Sequence, residues 1–114
     1  MKAANKGVDI INLHPELVEK ANQIEKILGY ELIITSGFRA ADHPIEARKS
    51  EPGTHNGDGE LSYAIDVTVI GGSNVFEFVK AVQAVGIERI GISRKHNFCH
   101  IDIDSSRPKS IWTY

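Results

Sequence analysis

The stretches "YAIDVTVI" (63–70) and "FCHIDID" (98–104) alternate apolar and polar residues with a period of two. Few patterns restrict a fold more. Successive side chains of a strand leave on opposite faces, so each stretch is a strand with one face for a core and the other for something else. In the first, Ile65, Val67 and Val69 share a face, and Ala64, Asp66 and Thr68 take the other. In the second, Cys99, Ile101 and Ile103 form the apolar face opposite Phe98, His100 and Asp102. Taken alone, either stretch also fits a half-buried strand with a solvated polar face.

Two amphipathic segments can cover the apolar faces. "HPELVEKANQIEKILGY" repeats Leu17, Val18, Ala21, Ile24, Ile27 and Leu28 at helical spacing, with Pro15 first and Gly29 just past the end. His14, before Pro15, reads as its cap. "GGSNVFEFVKAVQAVG" predicts a second helix, N-capped by Ser73 and stopped at Gly86, with Val75, Phe78, Val79, Val82 and Val85 inward. "ELIITS" and "IERIGIS" read as further strands, the first running through Ser36, and "SSRPKSIWTY" as a tail anchored by Trp112. From Gly37 to Ser62 glycines, prolines and charges follow no period, a loop length that marks function or disorder. The order α, β, long loop, β, α, β, β predicts a single α+β domain over 1–114. Its sheet is small and mainly antiparallel, with two helices packed on one face.

Composition narrows the function classes. With 41% hydrophobic and 25% charged residues the 114-residue chain reads as soluble and globular. A net charge of -2 without a Lys/Arg cluster gives no footprint for nucleic acid. No segment has the apolar length of a signal peptide or a membrane span. The expectation is therefore a monomer made in the cytoplasm, with neither nucleic acid nor membrane as partner. Cys99 is the only cysteine, which excludes an internal disulfide and a cysteine-based zinc site; it reads as a small core residue. "NGDGE" fails the calcium-loop pattern, since Thr54 and Ile65 would hold its first and last ligand positions. "GGSN" is what a turn and helix cap require, and is read so rather than as an anion site.

The polar faces carry the chemistry. Asp66 stands on one and His100 on the other, and His55 lies in the glycine-rich loop that leads into the first. Two imidazoles and a carboxylate, with a fourth position open, make a catalytic zinc set. That spacing also occurs in chains that bind no metal.

"TSGFRAADH", "GTHNGDGELSYAIDV", "FCHIDI" and "RPKSIW" together resemble the zinc D-Ala-D-Ala carboxypeptidases, peptidoglycan peptidases that share a fold with the Hedgehog signalling domain. That family carries S-G-[YF]-R after a first strand, then Ser-x-His-x-x-Gly-x-Ala-x-Asp, then a late strand histidine often followed by x-Asp. The resemblance runs in order from Thr35 to Trp112. It implies His55, Asp66 and His100 as ligands of Zn2+, and Arg39 as the cation that holds the substrate near the scissile bond or by its carboxylate. Ser36 and Gly37 belong to the same motif. The implied activity is hydrolysis of D-Ala-containing stem peptides of peptidoglycan, as a D,D-carboxypeptidase or an endopeptidase. Without an export signal, a phage or prophage protein acting at the cell wall once released is expected.

Two departures accompany the resemblance. Asp66 follows His55 by more residues than the family motif has, so "NGDGELS" holds an insertion, which a loop tolerates cheaply. His43 is the alternative ligand should His55 not serve. Relatives also place a carboxylate or histidine just before the last ligand, where this chain has Asn97 and Phe98. An amide cannot accept a proton, so the base must be sought at His96, then Asp102, then Glu60 or Asp58. The competing class is a catalytically inactive module that keeps fold and metal and binds cell-wall peptide or a protein.

Overall fold

A computed structural model describes residues 1–49 and 53–114. Helix α1 (Pro15–Leu28) starts where proline's missing N–H costs nothing. His14 Nδ1 accepts the Glu16 N–H at 3.4 Å, and Gly29 ends the helix in the left-handed region, φ 81°. Helix α2 (Gly72–Ala84) ends similarly before Gly86, φ 84°. Its start differs from expectation. The N-cap is Gly71 at φ 88°, and Ser73 lies inside the first turn, with no side chain capping the helix. Glycine's freedom at positive φ lets the chain enter the helix before Ser73 is reached.

Six strands are described: β1 (Lys2–Ala3), β2 (Ile33–Ser36), β3 (Ala64–Thr68), β4 (Arg89–Ser93), β5 (Phe98–Asp102) and β6 (Ser110–Thr113). They form one sheet in the order β1-β2-β3-β5-β4-β6. The centre is antiparallel, as expected, but both edges are parallel, β1 to β2 and β6 to β4. The sheet is therefore mixed. The expected tail is itself an edge strand, with Trp112 paired to Gly91.

Both helices cover one face. Leu17, Ala21 and Ile24 of α1 and Phe78, Ala81 and Val82 of α2 close over Ile34, Ile65, Val67, Ile90, Cys99 and Ile101. The alternation thus does what it implied. Apolar positions of β3 and β5 enter the core, with Ile103 partly buried beside it, and Asp66 and His100 emerge opposite. A register irregularity between Ile34 and Ser36 advances β2 by two residues against one on β3, bringing Ser36 opposite Asp66. Among the described residues no helix is long and apolar enough to cross a membrane.

Candidate metal centre

In the β3–β5 ladder Asp66 lies directly opposite His100, a cross-strand pair on the face away from the helices. Asp66 Oδ1 is 2.9 Å from His100 Nδ1 and 3.2 Å from His55 Nε2. All three residues are buried, between 4% and 8% exposed. Their ligand atoms lie within 4.8 Å of one another, close enough for one ion to reach all three.

The loop bearing His55 is held by its own backbone. Arg39 N–H donates to the His55 carbonyl at 3.0 Å, and Asn56 Nδ2 donates to the Arg39 carbonyl at 2.8 Å. The inserted residues fold into a tight turn: Asp58 Oδ1 accepts the N–H groups of Glu60 and Leu61. Gly57, φ 60°, meets the Leu61 carbonyl so closely that a side chain has no room. Gly37 matters twice. A Cβ there would collide with the Asp9 carbonyl, and its own carbonyl accepts from His55 Nδ1 at 2.8 Å.

That last bond decides which nitrogen faces the site. A carbonyl only accepts, so His55 Nδ1 carries the proton and Nε2 is left toward Asp66. His100 is oriented the same way by a different group. Its Nε2 meets Asp102 Oδ2 at 2.8 Å, leaving Nδ1 toward Asp66. Asp102, 1% exposed, also accepts from Arg89 Nε at 2.8 Å and from the Asp104 N–H at 3.1 Å. A buried carboxylate behind a ligating imidazole is the usual outer support of a zinc-binding histidine.

The charges suit a cation. Burial alone would push the Asp66 carboxyl up, yet the His100 and His55 hydrogen bonds outweigh it and hold it well below the usual carboxylate range. Burial pulls the His100 imidazole down, but its bonds to Asp102 and Asp66 win and raise it. Without a metal, a proton on His100 Nδ1 faces Asp66, on the side from which a divalent ion would be held. The donor set of two nitrogens and a carboxylate oxygen fits zinc.

Arg39 is brought to this centre as well, its Nη2 3.8 Å from Asp66 Oδ2. Other sequence candidates stay apart. His43 Nδ1 accepts the Ile45 N–H within its own loop, so the structure brings His55, not His43, to Asp66. His96 is exposed on the β4–β5 turn, its N–H bonded to Ser93 Oγ. Asp58 and Glu60 are exposed in the inserted turn. One residue had no sequence signal. Glu46, 6% exposed in a 3-10 turn (Glu46–Arg48), accepts the Gly53 N–H and Lys49 Nζ, both at 3.0 Å, and so closes the loop ahead of His55. A lone glutamate in an aperiodic segment looks like any solvated one.

The family model described as Peptidase M15 matches residues 1–102, a span that contains His55, Asp66 and His100. No curated protein and no solved structure matches the chain. With nearly the whole length matched, and a buried His-Asp-His group on the face the strands leave free, the chain belongs to the M15 peptidases, which are zinc-dependent.

Proposed function

We propose that this chain hydrolyses D-Ala-containing stem peptides of peptidoglycan, as a D,D-carboxypeptidase or endopeptidase, with His55 Nε2, Asp66 and His100 Nδ1 holding zinc. The observation that carries the reading is the orientation of the two imidazole rings. Each histidine spends its far nitrogen on an oxygen, the Gly37 carbonyl or Asp102, and turns the near one toward Asp66. Bound zinc supplies a Lewis acid for the scissile carbonyl and makes water nucleophilic at neutral pH. Arg39, beside Asp66 Oδ2, holds the anionic end of the peptide. Asp102 keeps His100 in its ligating tautomer while Arg89 balances the buried charge. Neither Asp66 nor Asp102 is free to carry a proton, since both are engaged by neighbours. His96, an imidazole that both accepts and donates, stands on the exposed β4–β5 turn apart from the centre, so in this reading it carries the proton only when that turn folds over the site. Ser36, opposite Asp66, belongs to the substrate-binding margin.

One observation favours a second reading. Asn97 occupies the β4–β5 turn at φ 55°, with its carbonyl accepting the Val69 N–H at 2.9 Å. Relatives of the resembled group carry a base there, and a module that binds cell-wall peptide without cleaving it would not need one. The test is metal analysis of protein purified without added zinc, followed by incubation with a D-Ala-D-Ala-terminated peptide and with cross-linked peptidoglycan fragments. Zinc with release of D-Ala or cleavage of cross-links supports the peptidase. Zinc with peptide binding and no hydrolysis supports the module. Failure to bind zinc overturns both.

A further inference from the structure

On the sheet face away from the helices, strand pairing sets residues in rows. One row runs Ser110, Arg89, Asp102 and Ala64, and the next runs Trp112, Gly91, His100 and Asp66. Arg89 thus stands beside Asp102 and one row from His100. Its guanidinium makes three contacts at once. Nε donates to Asp102 Oδ1 at 2.8 Å, Nη1 donates to the Pro108 carbonyl at 2.6 Å, and Cζ lies 5.0 Å from the Trp112 ring centroid. The indole in turn has its centroid 5.4 Å from that of His100, and fills the space that Gly91 leaves by having no Cβ. The Arg89 side chain is 14% exposed and Asp102 is closed off from solvent.

We propose that Arg89 is a positioning residue of the metal centre: anchored on the Pro108 carbonyl and the Trp112 ring, its guanidinium fixes Asp102, which in turn fixes His100. This rests on His55, Asp66 and His100 holding zinc. The two oxygens of Asp102 do different work. Oδ2 meets His100 Nε2 at 2.8 Å, while Oδ1 accepts the Arg89 Nε–H and, at 3.1 Å, the Asp104 N–H. A carboxylate turns about one bond, so holding Oδ1 sets where Oδ2 lies. Balancing the buried charge would need only a cation. What arginine adds is a rigid plane that meets a carboxylate, a carbonyl and an indole together, which the single ammonium of lysine cannot do. Stacking on the indole and the bond to Pro108 leave that plane one seat. The C-terminal segment thereby reaches a metal ligand through three hydrogen bonds in series, Pro108 to Arg89, Arg89 to Asp102 and Asp102 to His100.

Arg89→Lys keeps the charge and removes the plane, so it separates the two roles. The probes are Zn2+, titrated against a chromogenic chelator, and Co2+, whose visible absorption reports the geometry of its ligands. Arg89→Lys is expected to weaken zinc binding about 10-fold and to change the absorption of the Co2+-saturated protein. The double variant Arg89→Lys, Asp102→Asn should lose no more affinity than Asp102→Asn alone, since both act through one carboxylate. Unchanged zinc affinity in Arg89→Lys overturns the assignment, because charge then suffices. A Co2+ spectrum unchanged at saturation overturns it too, by reducing Arg89 to general stability, which the metal-free denaturation midpoint reads separately. Losses that multiply in the double variant overturn it as well, by placing Arg89 outside the path through Asp102. If Arg89→Lys does not fold, Arg89→Gln, which keeps a donor without the charge, enters the same comparisons. An unsubstituted chain that takes up neither ion removes the metal centre itself, a result no Arg89 variant can give.

Discussion

Asp102 receives Nε2 of His100 at 2.8 Å from two residues further along the same strand, while Asp66 meets Nδ1 of that ring from the neighbouring strand at 2.9 Å. The imidazole is gripped at both nitrogens, by a carboxylate that faces the centre and one that does not. Because strands carry both, the orientation of His100 is fixed by the sheet rather than by a loop.

Asp102→Asn follows from this. An amide in place of the carboxylate can turn its NH2 toward Nε2, which forces the proton onto Nδ1 and spoils it as a ligand. Zinc affinity is expected to fall about 10- to 100-fold, read by competition with a chromogenic chelator. Unchanged affinity would remove Asp102 from the support of the centre.

The ligand set is separable from the nearby histidines. His100→Ala and Asp66→Ala should each abolish zinc binding, whereas His43→Ala and His96→Ala should retain about one zinc at tetrahedral distances of about 2.0–2.1 Å to nitrogen. Metal analysis with X-ray absorption reads both stoichiometry and distance. Loss of zinc in His43→Ala alone would move the ligand from His55 to that loop.

The same centre sets a pH dependence. His100 is raised above its unfolded value of about 6.5, so its stabilisation of the metal-free protein is complete below that pH and lost as pH rises through the folded value. Asp66 is depressed, so its contribution persists above about pH 4 and is lost only in acid. Zinc must displace the His100 proton, which favours binding at higher pH. The gain in Tm on adding zinc should therefore be larger at about pH 8 than at about pH 6. An equal gain at both would contradict a shared proton and metal position.

Gly91 seats the Trp112 ring, whose centroid is 5.4 Å from that of His100. Gly91→Ala puts a methyl 2.7 Å from the Trp112 indole and must displace it. Trp112 emission should shift and stability fall by about 1–3 kcal/mol, with zinc stoichiometry kept. An unaltered emission spectrum would mean that the indole is not seated on Gly91.

Much of this was legible in the residues, and for identifiable reasons. Period-two alternation assigned Asp66 and His100 to the free face, and caps at His14, Gly29 and Gly86 bounded the helices. Alternation gives faces, not neighbours. That β3 pairs with β5 rather than β4 is a non-local choice that no short stretch reports. "SIWT" is only four residues and lies at an edge, mostly exposed, so burial leaves little imprint on it. Ser73 looked like a cap because serine usually is one, yet Gly71 turned the chain first. His55 was reached through motif resemblance, not pattern, since its position depends on backbone bonds in a loop.

Gly37 joins sequence motif to site most directly. Phe38 bridges to Asp9, and the N–H of Phe38 donates to the Asp9 carbonyl at 2.9 Å. That approach leaves no space for a Cβ at position 37, and the Gly37 carbonyl is the group that orients His55. Gly37→Ala must push the two backbones apart and carry the carbonyl with it. A cost of about 1–3 kcal/mol in stability is expected, together with weakened zinc binding. Gly59→Ala is the control. Gly59 has φ 92° but open space around it, so alanine there costs about 1 kcal/mol of backbone strain and leaves the His55 acceptor untouched. Denaturation midpoints and zinc affinities of the two variants separate the effects. If both lose stability and only Gly37→Ala loses zinc, the glycine of "SGFR" is there to seat His55. If zinc affinity survives in Gly37→Ala, the Gly37 carbonyl does not orient the ligand.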